Sequence, residues 1–331
     1  MLRGTSERAS ARGARWLTIA AAVLMLVPAS AQAGAQDVAI VSGPPAWTNE
    51  SSASFGLSSD EPGGIECRLD FGGDWERCED GHTLSGLQEG RHVLEARMGG
   101  GAVQDSWSWG VDVTAPTVPR VFEPTGRWHS ERYVTASWGA TDSPSGIGSY
   151  DVRYDVWTAT GGAATGVRWL EKSTVTGAAF HARAGHTYCL RVAVEDRAGN
   201  RAPSISPDRC FARPLDDAVL ELRGGWARRT GATGYQQGSY VETSRLGAFA
   251  RTTVSAKRLL LVATRCPRCG SVKVRWRGQV VRTVHLRAPR TTRSARIPLV
   301  SLPALERGTL RLDVVSSGRR VRIDGVGASA A

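Results

Sequence analysis

The sequence predicts an all-β protein built from three tandem β-sandwich domains that follow a signal peptide. Among 331 residues there are 38 glycines and 15 prolines, a composition that favours turn-rich β structure over helix bundles. Short apolar stretches recur between turn residues at the spacing of sandwich strands, and no segment has a convincing helical period. The length suits two or three domains of ~100–150 residues, and 41% hydrophobic residues suffice to form their cores.

Residues 1–33 have the pattern of a secretory signal peptide. Four arginines precede an apolar stretch from Trp16 to Val27, and Ala31 and Ala33 supply the small residues of a cleavage site after Ala33. A membrane anchor is the alternative, but a helix over this stretch would span only ~18 Å of a ~30 Å hydrocarbon core. We therefore expect a protein that is secreted, or loosely associated with the cell surface, without a membrane span after cleavage.

Six cysteines occur as one pair in each of three regions. An even count with local pairing in an exported protein predicts the disulfides Cys67–Cys78, Cys189–Cys210 and Cys266–Cys269. Cys266 and Cys269 also resemble half a zinc knuckle or a redox motif, but no second ligand pair lies nearby. The first pair is symmetric about Gly72-Gly73, which predicts a two-residue hairpin with Cys67 directly opposite Cys78.

Residues 34–113 carry 14 acidic and four basic side chains, a net charge of −10. The sequences SSDEP at 58–62 and GLQEGRH at 86–92, with the cysteine pair, resemble a secreted bacterial Ig-like domain. That resemblance implies a stalk or adhesion module without chemistry of its own. Because no D-x-D-x-D-G loop occurs, we interpret the acidic residues as a solvated surface rather than a calcium site.

Residues 114–213 begin with a Thr-Ala-Pro linker and resemble a fibronectin type III domain. The residues that carry the resemblance are Trp138, Tyr150 and Tyr188, followed by the turn sequence DRAGN at 196–200. The family implies that these aromatic residues lie in the core, with Tyr188 as the corner tyrosine. Strand alternation turns Tyr188 inward and Cys189 outward. We interpret 142–146 and 196–200 as turns.

Residues 217–331 form a third predicted β domain. The predicted strands are 248–254, 258–264, 271–276, 280–286, 295–299, 309–315 and 320–326. The positions Gly225-Trp226, Tyr235, Gly238-Ser239 and RIDG at 322–325 resemble the C-terminal galactose-binding-like jelly rolls of secreted actinobacterial proteins. The resemblance implies a carbohydrate-binding-like module, although Arg277-Gly278-Gln279 replaces the family's Asp-Gly turn.

The charge of this third domain lies on alternate strand positions. Residues 214–331 carry 22 basic and seven acidic side chains, a net charge of +15. Polar and apolar residues alternate on three predicted strands, and Asp313 and Asp324 occupy outward positions among the arginines. The predicted polyanion face consists of Lys273, Arg275, Arg277, Arg311, Arg320 and Arg322. Guanidinium groups bind phosphate, sulfate and carboxylate in bidentate geometry. The alternative is a solvated face in an arginine-rich protein, since 39 of the 42 basic residues are arginine.

The sequence contains no catalytic signature, so we expect no catalytic residues, no cofactor and no metal ligand. The favoured function is a secreted, non-enzymatic binding or adhesion protein whose basic C-terminal domain contacts cell-envelope polysaccharide or another anionic polymer. One alternative is a structural or accessory protein with only protein partners, such as other surface proteins. Another is a non-catalytic part of an extracellular enzyme system. Nucleic acid is not an expected partner in vivo.

Overall fold

The computed structural model describes residues 37–60 and 64–331, which are almost entirely antiparallel β structure. The predicted signal peptide lies outside the described residues. Residues 37–331 form one compact unit that contains three separate hydrophobic cores. In the described part of the chain, helical structure is limited to two 3-10 turns, Asp217–Val219 and Gln236–Gly238.

The first core lies between two small sheets of a sandwich. Its strands are β1 (Val38–Ser42), β2 (Ala53–Ser59), β3 (Ile65–Leu69), β4 (Glu76–Arg77), β5 (His82–Leu84), β6 (Gly90–Met98) and β7 (Asp105–Val111). One sheet has the order β1-β2-β5 and the other β4-β3-β6-β7. Phe55 packs edge-to-face on Trp109 between them.

The predicted hairpin at Gly72-Gly73 has the wrong register, because the residue opposite Cys67 is shifted by two positions. Cys67 lies opposite Glu76 rather than Cys78, although Cys67 and Cys78 are disulfide-bonded. Asp70 and Phe71, rather than the two glycines, adopt the left-handed conformation in this turn. The reason lies in Asp70, whose carboxylate accepts hydrogen bonds from the Val93 amide and contacts His92 Nδ1 at 2.8 Å. A side chain fixed by a neighbouring strand has overridden the local preference for Gly-Gly.

The second core has the two-sheet arrangement of a seven-stranded sandwich. Its strands are β8 (Arg120–Glu123), β9 (Tyr133–Gly139), β10 (Ile147–Thr158), β11 (Ala163–Ser173), β12 (Gly177–His181), β13 (His186–Asp196) and β14 (Arg209–Arg213). The sheets have the orders β11-β10-β13-β14 and β12-β9-β8. Trp138, Tyr150 and Tyr188 all lie in the core. The Tyr188 hydroxyl accepts a hydrogen bond from the Arg183 amide at 3.0 Å, which fixes the corner before β13.

The C-terminal domain is one continuous hydrogen-bonded sheet of nine strands. They are β15 (Leu215–Asp216), β16 (Glu221–Arg223), β17 (Ala227–Arg229), β18 (Tyr240–Thr243), β19 (Phe249–Arg265), β20 (Ser271–Trp276), β21 (Gln279–His285), β22 (Thr292–Val314) and β23 (Val321–Ser329). The main path is β17-β18-β23-β19-β22-β20-β21. Side chains from both ends of this path, such as Val241 and Val274, share one core.

Two pairs of predicted strands in this domain are single long strands. The segments predicted at 248–254 and 258–264 belong to β19, and those at 295–299 and 309–315 belong to β22. The predicted breaks are register shifts, such as the one between Ala256 and Arg258, across which pairing continues. A β-bulge bends a strand without ending it, so β19 and β22 each contribute to both halves of the domain.

The middle and C-terminal domains are joined by direct backbone contacts. The Ser255 amide donates to the Ala159 carbonyl at 2.7 Å, and Ala159 belongs to the C-terminal core. Leu215 pairs with Val326, so the C-terminal sheet begins two residues before the predicted boundary at 217. No helix in residues 37–60 and 64–331 has the length and hydropathy needed to cross a membrane.

Candidate functional site

The six basic residues of the predicted polyanion face lie on three strands and one turn. Lys273 and Arg275 are on β20, Arg311 is on β22, and Arg322 is on β23, with Arg320 just before that strand. Arg277 begins the turn between β20 and β21. The intervening residues Val272, Val274 and Trp276 are buried, because successive side chains of a strand point to opposite faces.

The structure divides these residues into two clusters. Lys273 lies opposite Asp313 and Arg275 lies opposite Arg311, so these four form one cross-strand group. Arg320 and Arg322 instead surround Glu242 on β18, with N–O distances of 3.6 and 3.1 Å. Arg277 lies apart from both groups and pairs with Glu306 at 2.9 Å. The sequence pattern predicted outward positions but could not show which strands are neighbours.

The first cluster lines an open groove of about 570 Å³, which we call the β20–β22 groove. Its charged lining residues are Lys273, Arg275, Arg311 and Asp313. Asp313 accepts hydrogen bonds from Arg275 Nε at 2.9 Å and from Arg311 Nε at 2.6 Å. One carboxylate therefore holds two guanidinium groups in place, and the four side chains together carry a net charge of +2.

Two further features order the groove. The Arg311 guanidinium lies 3.6 Å above the Phe249 ring, a cation–π contact that restricts its rotamers. Lys273 has no acidic partner within the described part of the chain. The groove therefore combines two positioned arginines with one unpaired ammonium group, an arrangement suited to an anionic ligand.

In the second cluster every basic side chain contacts the one acidic residue. Glu242 contacts Arg229, Arg320 and Arg322, with its closest approach at 2.9 Å from Arg229 Nε. Burial alone would raise the pKa of Glu242, but the hydrogen bonds from Arg229 and Arg322 outweigh it and hold this pKa below its ordinary value. The same hydrogen bond raises the pKa of Arg322 against the opposing effect of burial. The three arginines stabilise one ionised glutamate here, so fewer of their donors remain for a ligand.

The position of Asp324 differs from the prediction. Strand alternation placed it on the arginine face, whereas its exposure is 0%. Its carboxylate accepts hydrogen bonds from the Gln236 amide at 3.0 Å and from the Ser294 hydroxyl. Burial raises the pKa of Asp324 to about 6, and repulsion from Asp216 and Asp217 adds to the effect while the two hydrogen bonds oppose it.

All six cysteines form the three expected local pairs: Cys67–Cys78, Cys189–Cys210 and Cys266–Cys269. Cys189 and Cys210 lie directly opposite each other on β13 and β14. Neither belongs to the core formed by Tyr188 and Leu190, so this disulfide joins the two strands on the outer side of their sheet.

A cluster of three carboxylates lies where the first two domains meet. The sequence analysis treated Asp142 and Asp196 as turn residues and Asp112 as part of the acidic surface of the first domain. Asp112, Asp142 and Asp196 each place an oxygen within 4.8 Å of the others, and within the described residues this is the group that could hold a metal ion. Asp112 and Asp196 are 0% and 3% exposed. Burial raises the pKa of Asp142, and repulsion from Asp112 adds to it. Backbone amides of Ser145, Gly146 and Asn200 donate to the three carboxylates. Only the folded chain brings these residues together, so sequence spacing alone could not have found them.

No family model matches the chain, and no curated protein matches it. Solved structures with similar β architecture include fibronectin type III-like modules of Clostridium thermocellum CbhA, at 15% identity and a TM-score of 0.30, covering 57% of this chain and 98% of that one. Promiscuous carbohydrate-binding modules of the β-sandwich superfamily give 11% identity, a TM-score of 0.27 and coverage of 63% and 97%. A family two carbohydrate esterase from Cellvibrio japonicus gives 12% identity and a TM-score of 0.28, and the match spans 35% of this chain but only 32% of the esterase.

Proposed function

We propose that the protein is a non-enzymatic binding protein of the cell exterior whose C-terminal domain holds an anionic envelope polymer in the β20–β22 groove. The observation that carries this proposal is the pair of arginines, Arg275 and Arg311, fixed by Asp313 beside the unpaired Lys273. Positioned guanidinium groups lose less conformational freedom on binding than free ones. The anions that fit are phosphate, sulfate or carboxylate groups repeated along a flexible polymer.

The charge of the whole domain supports the same ligand class. The net charge of +15 over residues 214–331 attracts polyanions at long range. Isolated surface ion pairs contribute only ~0–1 kcal/mol, so useful affinity requires several contacts at once. Screening acts over ~8 Å at physiological ionic strength, and binding should therefore weaken steeply as salt is added.

The first prediction concerns retention of the secreted chain, residues 34–331, on immobilised poly(glycerol phosphate). This polymer carries phosphate charges without sugar rings. We expect Arg275→Gln and Lys273→Gln each to lower the salt concentration needed for elution, because each removes one charge from the groove. The slope of log affinity against log salt should fall by about one for each lost contact. Arg322→Gln should have a smaller effect, because Arg322 lies in the second cluster, outside the β20–β22 groove.

The matched control is Arg290→Gln, which removes one exposed arginine outside both clusters. Elution of this variant should match that of the unaltered protein. The proposal fails if all four variants elute at the same salt concentration. It also fails if the unaltered chain is retained no better than an unrelated protein of equal net charge. The favoured function would then be a structural role with protein partners.

A further inference from the structure

A second groove lies in the middle domain, where the two sheets separate at one side of the sandwich. Strands β11 and β12 are edge strands of opposite sheets, so no hydrogen bonds close the gap between them. The groove has a volume of about 460 Å³. That volume falls within the range of small-ligand sites, which are concave, largely apolar and equipped with a few polar groups. We call it the aromatic groove.

Four aromatic rings form its floor and hold one another in place. Phe180 lies 4.9 Å from Trp169, 5.1 Å from Tyr154 and 4.8 Å from Tyr188 between ring centroids, each in an edge-to-face arrangement. Phe180 and Tyr188 are buried, whereas Trp169 and Tyr154 are half-buried and present part of their surface to the groove. The platform is therefore rigid before any ligand arrives.

The two half-buried rings retain unused polar groups. Neither the Trp169 indole N–H nor the Tyr154 hydroxyl makes a hydrogen bond within the described part of the chain. Neither atom is among the buried polar atoms that lack a partner, so both are open to solvent and available to a ligand. A flat ligand that presents apolar C–H groups to the rings and hydroxyls to their edges would use both features, and a pyranose ring has that form.

The charge at the rim specifies the ligand further. The lining contains Arg183 and two histidines but no aspartate or glutamate. Arg183 makes no ion pair among the described residues, and its backbone amide is fixed by the Tyr188 hydroxyl at 3.0 Å. Arg132 Nε donates to His181 Nε2 at 2.9 Å, so a second arginine adjoins the same rim. An unpaired guanidinium beside an aromatic floor complements a carboxylate carried on a sugar ring.

We propose that the aromatic groove binds a uronic-acid residue of an acidic polysaccharide. The pyranose ring stacks on Trp169 and Tyr154, and the carboxylate pairs with Arg183. This site lies in a different domain from the β20–β22 groove and does not depend on the function proposed for that groove. A peptide strand added to the edge of β11 or β12 would use main-chain hydrogen bonds instead, and it would not depend on the Arg183 charge.

The test is calorimetric titration of the secreted chain, residues 34–331, with trigalacturonate and with its fully methyl-esterified, uncharged form. We expect the acid to bind about tenfold more tightly than the ester, since one charge-assisted hydrogen-bonded pair is lost. Arg183→Gln should weaken binding of the acid by about tenfold and leave binding of the ester unchanged. The control Arg168→Gln removes an exposed arginine from β11 outside the groove, and it should alter neither affinity.

A second measurement, by NMR, tests whether the ligand binds beside Trp169. The Trp169 indole N–H resonance, identified by its absence in Trp169→Phe, should shift during titration with trigalacturonate. Equal affinity for acid and ester, an equal effect of Arg183→Gln on both, or an unmoved Trp169 resonance would each overturn the inference. If Arg275→Gln weakens trigalacturonate binding and Arg183→Gln does not, the sugar acid binds in the β20–β22 groove. The inference is then wrong while the proposed function stands.

Discussion

The carboxyl group of Asp324 shows how tertiary contacts can reverse a strand pattern. Alternation with Val321 and Ile323 predicted an outward side chain, yet β23 is buried on both faces from Ile323 to Ser329. The strand lies between β18 and β19 and also adjoins the middle domain, since the Ala330 amide donates to Thr187 Oγ1 at 3.0 Å. A sandwich viewed in isolation would leave one of these faces in water.

The second prediction follows from the raised pKa of Asp324. Its value of about 6 lies above the ordinary 3.8, so the folded state holds the proton more tightly than the unfolded state does. Ionisation of buried Asp324 therefore lowers the free energy of unfolding. This loss is absent below pH ~4 and grows as the pH rises through about 6. Asp324→Asn, which keeps an acceptor oxygen, should therefore gain free energy of unfolding relative to the unaltered protein between pH 4 and 7. The gain is on the order of 3 kcal/mol.

Urea unfolding at several pH values measures this difference. The control is Asp74→Asn, which removes a carboxylate at an exposed position of the first domain. A difference for Asp324→Asn that follows the control at every pH would contradict the effect of burial on Asp324.

At the scale of single elements, the sequence located most strands of the C-terminal domain but not their continuity. The apolar alternation of Val272, Val274 and Trp276 predicted β20 with its observed bounds. The same alternation predicted strand ends near Ala256 and between 299 and 309, where the register of β19 against β22 shifts and pairing continues. Bulges are set by pairing with distant strands, which a linear pattern does not contain.

The candidate site illustrates the same limit. Alternation predicted that Lys273, Arg275 and Arg311 point outward, because that depends only on neighbours along the chain. The ion pairs of Asp313 with both arginines depend on the register of β20 against β22. The separation of Arg320 and Arg322 into another cluster depends on the pairing of β23 with β18. Neither pairing can be inferred from spacing alone.

The third prediction concerns Gly327, a strand residue at the contact between the middle and C-terminal domains. A Cβ at this position would lie 2.5 Å from Trp128 Cζ3. Gly327→Ala must therefore displace a rigid indole ring or the strand itself, and such overpacking costs about 1–3 kcal/mol. We expect a lower midpoint of thermal unfolding, measured by calorimetry. Gly72→Ala, whose added Cβ meets nothing closer than 3.6 Å, should leave the midpoint nearly unchanged; equal midpoints for both variants would contradict the close packing at Trp128.

At the scale of the whole molecule, the three hydrophobic cores are separate but the segments between them are hydrogen-bonded. Asn200 Nδ2 donates to the carbonyl oxygens of Asp112 and Thr114, which ties the first linker to the middle domain. Leu215 and Asp216 form part of the C-terminal sheet. These contacts join residues far apart in sequence and fix both junctions between the domains.

The fourth prediction tests this junction by limited trypsin digestion. If the segment between the predicted domains 114–213 and 217–331 were a flexible linker, trypsin would cleave near residues 213–217. In the structure the Arg213 guanidinium donates to the carbonyls of Ser130 and Ala182, both at 3.0 Å, and a protease requires such a segment to open first. Arg290 lies exposed in the turn between β21 and β22. Mass spectrometry of early fragments should therefore find cleavage after Arg290 before cleavage after Arg213, and the reverse order would restore the flexible-linker interpretation.

The continuity of β19 also limits how this fold can change during evolution. One half of the strand pairs with β16 and the other half with β23, while β22 follows it along most of its length. Inserting one residue near its middle would turn every later side chain to the opposite face, so Leu259 and Leu261 would leave the C-terminal core and Leu260 and Val262 would take their places. Insertions would be tolerated only in the turns outside the long strands, such as the one at Gly278. The turns that flank the β20–β22 groove are thus the places where related chains can vary in length while the domain keeps its core.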